Sequence, residues 1–266
     1  MDNIILKAEN LNKTFPLAKS GFFDRPEYKQ ALMDVSISLE KGKVLGIVGE
    51  SGSGKSTLGR IITRLIVPDS GKIIYNGMDI THMSQKDFAP YRKDIQMIFQ
   101  NAYSSLNPNK AIGWLLKESL DINTNLSESE KLFKVDEMMD MVGLQKNLKS
   151  RYPKELSGGE RQRAVIGSAL MLRPKIIVAD EAVSALDVSI CAKILNLMNE
   201  LKERLDLSYI FISHDLGVVN YLSDTIAILY NGKIVESGSA EEIFKNPKIN
   251  YTKELLAGTF IYNFSS

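Results

Sequence analysis

The stretch Gly49-Glu50-Ser51-Gly52-Ser53-Gly54-Lys55-Ser56-Thr57 decides how this chain is read. It satisfies the G-x-x-x-x-G-K-[ST] pattern of a phosphate loop, and its flanks supply the context that pattern needs. Lys43 to Val48 reads as a short buried strand entering the loop. Thr57 to Ile66 reads as a helix leaving it, with Leu58, Ile61, Ile62 and Leu65 on one face. Glycines let successive backbone N–H groups turn around a polyanion, and a helix N-terminus adds partial positive charge at the same point. The expected nucleotide contacts are Gly49, Ser51, Gly52, Gly54, Lys55, Ser56 and Thr57. Lys55 would reach the terminal phosphates, and the Ser56 hydroxyl would ligate magnesium. A ligand-free glycine turn between strand and helix is the competing structural reading, and it explains neither Lys55 nor Ser56.

Working outward, the 266 residues suit one large α/β domain, and an apolar fraction of 44% supports a sizeable core. A net charge of +1 gives no bulk field for nucleic acid, which is not expected as a partner. The single cysteine, Cys191, excludes an intramolecular disulfide and argues against a cysteine-bound metal or cluster. Asp2 and Glu9 interrupt the N-terminal apolar stretch, so no signal peptide is read there. No apolar run approaches the ~18 residues of a membrane span, so a cytoplasmic protein is expected, working at a membrane only through partners.

Ile4 to Phe15 is expected as an edge strand, Pro16 to Gln30 as a loop or insertion, and Leu32 to Leu39 as a strand. Lys72 to Tyr75, Ile95 to Phe99, Ile176 to Ala179 and Tyr209 to Ile212 read as further strands. A terminal hairpin is expected around Asn231-Gly232. Helices are expected over Ile112–Leu120, Glu128–Val142 and Glu160–Leu172, and from Ser189 onward. Alternating strands and helices imply a largely parallel sheet. The expected fold class is therefore α/β, a P-loop NTPase core with an N-terminal antiparallel β portion and an inserted helical subdomain. One domain over 1–266 is expected, with core segments 1–100 and 160–240, a helical subdomain over 101–159 and a tail over 241–266.

Two further stretches carry chemistry. Ile176-Ile177-Val178-Ala179-Asp180-Glu181 is an apolar strand ending in two carboxylates, at the sheet end where catalytic groups of open α/β folds gather. Asp180 would hold the metal and Glu181 would orient or deprotonate the attacking water. Exposed acids closing a strand are the plainer reading. Leu156-Ser157-Gly158-Gly159-Glu160-Arg161-Gln162-Arg163 starts a helix with a capping box from Ser157 to Glu160. A cap does not require Gly158-Gly159, and open backbone N–H groups there suggest a second phosphate-binding surface.

Together with Gln100 and His214, these motifs resemble the ATPase subunit of an ATP-binding-cassette transporter, in the family's order and over nearly the whole chain. The resemblance implies two such domains closing head to tail on two ATP molecules. Ser157, Gly158 and Gly159 would then contact the ATP held by the other subunit's Lys55. It implies that Gln100 senses the γ-phosphate and magnesium, that His214 positions Glu181 and the water, and that Asp187 lies in the loop crossing the dimer interface. Phe15 would stack on adenine, although a strand residue in the core is an equal reading.

Narrower features resemble the oligopeptide, dipeptide and nickel importer group: Gln100 to Pro108, the insertion after Phe15, and Asn246-Pro247 followed by Tyr251-Thr252-Lys253. The implied function is an ATP-hydrolysing importer subunit, for oligopeptides or dipeptides first and for nickel or a metallophore second. The implied partners are two membrane permease subunits, a second ATPase subunit, identical or different, and indirectly a solute-binding protein. The implied location is peripheral, on the cytoplasmic face of the cell membrane. Ala182-Val183 follow Glu181 where the family usually has Pro-Thr, which loosens the backbone there. Lys248-Ile249-Asn250 stand where the group usually has His-Pro. A cassette ATPase acting on DNA or ribosomes is the rival. The span between Lys55 and Ser157 has room for a small helical subdomain only, not for a long coiled coil.

Overall fold

The computed structural model describes residues 3–17, 27–100, 105–184 and 186–257. Most of the expected loop after Pro16, residues 101–104 of the Gln100-to-Pro108 segment, and Ala185 lie outside the described residues. The chain divides into two compact units, one formed by Met1–Ala89 with Tyr209–Ser266 and the other by Pro90–Ser208.

The first unit begins with β1 (Ile4–Pro16) and β2 (Tyr28–Glu40), paired antiparallel. β3 (Val44–Val48) follows, then α1 (Lys55–Ile62), β4 (Ser70–Tyr75) and β5 (Met78–Asp79). The antiparallel sheet runs β2-β1-β4-β5, so β1 is an interior strand rather than the expected edge. Its alternation of apolar and polar residues reflects one buried face, which edge and interior strands of an antiparallel sheet share. β2 begins four residues before Leu32, inside the stretch read as a loop. The turn between β4 and β5 has Asn76 and Gly77 at φ 47° and 78°, the left-handed pair of a tight hairpin.

Helix α1 is shorter than expected. The Thr63 hydroxyl donates to the Gly59 carbonyl at 3.0 Å, and Arg64 turns to φ 58°, which stops the helical ladder. Leu65 consequently lies outside the helix and is exposed rather than part of its apolar face. A short helix α2 (Gln85–Arg92) escaped the periodicity reading because only Phe88 is buried along it. The Arg64 guanidinium lies 5.4 Å from the Phe88 ring centre and donates to the Met83 carbonyl at 2.6 Å.

In the second unit β6 (Ile95–Ile98) pairs in parallel with β7 (Ile176–Asp180), in the register Ile95↔Ile176 to Ile98↔Ala179. Between them come α3 (Ile112–Asn123), α4 (Glu128–Met141) and α5 (Gly158–Leu170), and α6 (Val188–Leu205) follows β7. The helical core is Ile112, Leu115, Leu116 and Leu120 of α3 with Val135, Met138 and Met139 of α4. Leu132 of α4 is exposed. Each buried aliphatic side chain of this helical core contributes about 1.5–3 kcal/mol relative to exposure.

The chain then re-enters the first unit with β8 (Ser208–Ser213), α7 (Leu216–Leu222), β9 (Thr225–Tyr230), β10 (Lys233–Ser239), α8 (Ala240–Lys245) and α9 (Asn250–Ala257). β3 lies parallel between β8 and β9, and β10 closes the hairpin antiparallel through Asn231-Gly232. All five residues of β3 are buried, which is why it reads as an unbroken apolar run. Parallel strands, an antiparallel sheet and helices make this the expected α/β P-loop fold.

Candidate nucleotide site

The phosphate loop leaves the C-terminal end of β3, and the sheet register decides what accompanies it. Val48 pairs with Ser213, so His214 emerges beside Gly49 at the same sheet edge. A Cβ on Gly49 would stand 2.0 Å from the Leu229 carbonyl oxygen. Gly54 has φ 111°, and a Cβ there would stand 2.3 Å from the Ala31 carbonyl oxygen. Both positions therefore exclude any side chain, the second by backbone angle as well as by space. Gly54 opens α1 with no side-chain cap and no acidic residue in the first turn. An uncapped helix start presents backbone N–H groups to an anion. Lys55 is buried, at 4% exposure, and its ammonium donates to the carbonyls of Gly49 and Glu50, both at 2.7 Å. Two carbonyls of the loop itself thus hold the cation.

The second unit assembles the acids. The parallel register Ile98↔Ala179 puts Gln100 and Glu181 two residues beyond the last strand pair, and the Gln100 side-chain amide donates to the Glu181 carboxylate. Asp180 ends β7 at 3% exposure. Glu181 turns to φ 48°, a left-handed conformation unusual for a side chain of its size. Its carbonyl accepts from the Ser184 N–H at 3.2 Å and hydroxyl at 3.1 Å. Ala182 and Val183, the central residues of this turn, are buried.

The other predicted residues have identifiable local roles. Ser157 caps α5 with both halves of the box present: its hydroxyl accepts from the Glu160 N–H at 3.3 Å, and Glu160 accepts the Ser157 N–H at 2.8 Å. Those bonds, from the Ser157 N–H first and its hydroxyl second, hold the Glu160 carboxyl below its ordinary value. A Cβ on Gly159 would meet Ile190 of α6 at 3.0 Å, so close helix packing accounts for that glycine. A Cβ on Gly158 would meet only Leu186, at an ordinary 3.7 Å. Asp187 caps α6 by accepting from the Ile190 N–H at 2.9 Å, a role the sequence reading missed although D-x-x before an apolar helix signals it. His214 is exposed, and the next residue, Asp215, caps α7 through the Gly217 N–H at 2.8 Å. Phe15 is half-buried near the end of β1, with the Lys13 ammonium 5.5 Å from its ring centre. Phe15, Gly49, Ser51, Gly52, Gly54, Lys55, Ser56, Thr57 and His214 belong to the first unit, and Gln100, Ser157, Gly158, Gly159, Asp180, Glu181 and Asp187 to the second.

A phosphate loop opening an uncapped helix, and two carboxylates closing a buried parallel strand, define the class of P-loop nucleoside triphosphatases. The family described as ABC transporter matches residues 32–184. Among curated proteins, the dipeptide transport ATP-binding protein DppF of Haemophilus influenzae is 49% identical, over 96% of this chain and 78% of that protein. The oligopeptide transport ATP-binding protein AppF of Bacillus subtilis is 46% identical, over 95% and 77%. Among solved structures, the dimeric post-hydrolysis state of the ATP-binding cassette MJ0796, bound to ADP and Pi, has a TM-score of 0.76 at 27% identity, over 88% of this chain and 98% of that one. The cbiO1 chain from Clostridium perfringens, part of the ABC transporter complex cbiONQ, has a TM-score of 0.79 at 27% identity, over 92% of each. The chain belongs to the ABC transporter family, as an ATP-binding ATPase domain.

Proposed function

We infer that this chain is the ATP-hydrolysing subunit of a multi-subunit importer for dipeptides or oligopeptides, the solute class carried in the names of the relatives. The observation that supports the hydrolytic role is the Gln100–Glu181 hydrogen bond at the ends of β6 and β7. It holds the Glu181 carboxylate at the end of the strand that also carries Asp180. Lys55 exchanges the Gly49 and Glu50 carbonyls for phosphate oxygens, while the glycine loop and the α1 N-terminus surround them with N–H groups. Phe15 offers its face to adenine. Glu181 accepts the proton of the attacking water, and Gln100 and His214 set its orientation.

Magnesium fits the donors present. Ser56, Asp180 and Gln100 would hold it, since each carries a hard oxygen atom of the kind magnesium takes. When bound, the ion would neutralise charge developing on the phosphate oxygens.

Among the described residues no helix is long and apolar enough to cross a membrane. The proposed assembly is two such ATPase subunits, identical or different, head to tail on the cytoplasmic face beneath two permease subunits, with a solute-binding protein engaged indirectly. In that assembly Ser157, Gly158 and Gly159 face the ATP of the partner subunit, and Asp187 lies at the shared interface. We assign residues 1–266 to one nucleotide-binding domain, with core segments 1–100 and 160–240, helical subdomain 101–159 and tail 241–266.

The test is Glu181→Gln. Hydrolysis should fall about a hundredfold to ten-thousandfold with ATP binding retained. A normal rate in that variant would remove Glu181 from the chemistry. Recovery of the chain with permease subunits from membranes, and not with DNA or ribosomes, checks the transport assignment.

A further inference from the structure

The tail motif Asn246-Pro247 with Tyr251-Thr252-Lys253 has no part in the nucleotide site described above, yet it reaches the phosphate loop. The Glu236 carboxylate, on β10, accepts the N–H groups of Lys248 at 2.7 Å and Ile249 at 3.2 Å, which fixes the chain just ahead of α9. Thr252, in the first turn of α9, is fully buried. Between these anchors the Tyr251 hydroxyl accepts the Glu50 N–H at 3.2 Å across 201 positions of sequence. Its ring lies against Tyr230, with centroids 4.1 Å apart and planes tilted by 41°. Tyr230 ends β9, and the turn after it bonds the same loop, since the Gly232 N–H donates to the Ser53 carbonyl at 2.9 Å.

The Gly49 carbonyl and the Glu50 N–H belong to one peptide group, which is planar and turns as a unit. Lys55 grips the carbonyl edge of that plane at 2.7 Å, and Tyr251 grips the N–H edge. Burial pushes the Tyr251 phenol up, which keeps the hydroxyl neutral in its accepting role. We propose that Tyr251 is a positioning residue of the nucleotide site: its hydroxyl on the Glu50 N–H sets the orientation of the Gly49–Glu50 peptide and thereby the starting position of the Lys55 ammonium. This rests on the reading of the loop as the ATP site.

The decisive variant is Tyr251→Phe, which keeps the ring against Tyr230 and deletes only the hydroxyl. A single hydrogen bond of this kind corresponds to about a two- to tenfold change in an equilibrium constant. The dissociation constant and KM for ATP should rise by that factor, with kcat at saturating ATP unchanged. Amide exchange at Glu50 to Ser53 should quicken while β6 and β7 keep their protection, a split that a general loss of stability would not produce. Tyr251→Ala, which also loses the ring contact, should raise KM further. Lys55→Ala, assayed in parallel, tests the site itself. Loss of ATP binding in Lys55→Ala with unaltered KM and exchange in Tyr251→Phe would overturn the Tyr251 inference and leave the nucleotide site standing. Failure of the unaltered protein to bind ATP would overturn both.

Discussion

Helix α1 of the first unit begins at Gly54 with no side chain over its first N–H groups, whereas α5 of the second unit begins at Ser157 under a complete capping box. Both starts are glycine-bearing, and both looked like anion sites in sequence. Their glycines do different things. Gly49 and Gly54 are demanded by the fold itself, because any side chain there would strike a backbone carbonyl. Gly159 is demanded by packing against Ile190, whereas a Cβ on Gly158 would make only an ordinary contact among the described residues. The contrast separates an uncapped helix start, whose glycines are fixed by backbone contacts, from a cap that satisfies its own helix and leaves one glycine loosely packed.

Three substitutions sharpen that contrast, from the largest expected effect on folding to the smallest. Gly54→Ala forces a side chain into φ 111° and against the Ala31 carbonyl, and should destabilise the protein by about 3 kcal/mol, read by denaturant unfolding. A change below about 1 kcal/mol would mean that the loop relaxes more freely than its packing indicates. Ser157→Ala should cost about 1 kcal/mol, the usual worth of a helix cap. Gly158→Ala should leave folding stability within about 0.5 kcal/mol and ATP binding intact, while hydrolysis by the assembled protein drops. Unchanged hydrolysis would remove the outward role of Gly158, and with it half of the comparison.

Acidity tests the cap alone. The folded Glu160 carboxyl sits below its ordinary value of 4.5, so it takes up its proton less readily in the folded than in the unfolded chain. The stabilisation it supplies is therefore full above that ordinary value and is lost as pH falls through the lower folded one. The stability difference between the unaltered protein and Glu160→Gln should be present at neutral pH and close as the solution is acidified below pH 4.5. A difference that stayed constant across that window would detach the box from the Glu160 charge. The start of α1, which has no acid in its first turn, should show no matching dependence.

Most of the fold could be read in advance because its signals are short. The phosphate loop, the Ser157–Glu160 box and the Asn-Gly hairpin turns each span a few residues, and their chemistry is dictated by backbone angles and by the open N–H groups of helix ends. Helix α1 ends four residues before its apolar spacing does, because Arg64 turns left-handed while the spacing continues. The interior place of β1 in its sheet is not legible in its alternation, which reports which face is buried, not how many neighbours a strand has.

The sequence by itself therefore determined the class of fold and the short motifs, the glycine loop and the Ser157–Glu160 box, from which the site is proposed. Only the tertiary structure decided their company: Gln100 on Glu181 across 81 positions, His214 beside Gly49 through strand register, and Tyr251 on the peptide that Lys55 grips. Local pattern records what a segment can do with its own backbone. Which distant group completes its hydrogen bonds is settled when strands align and side chains pack, and no short window of sequence contains that outcome.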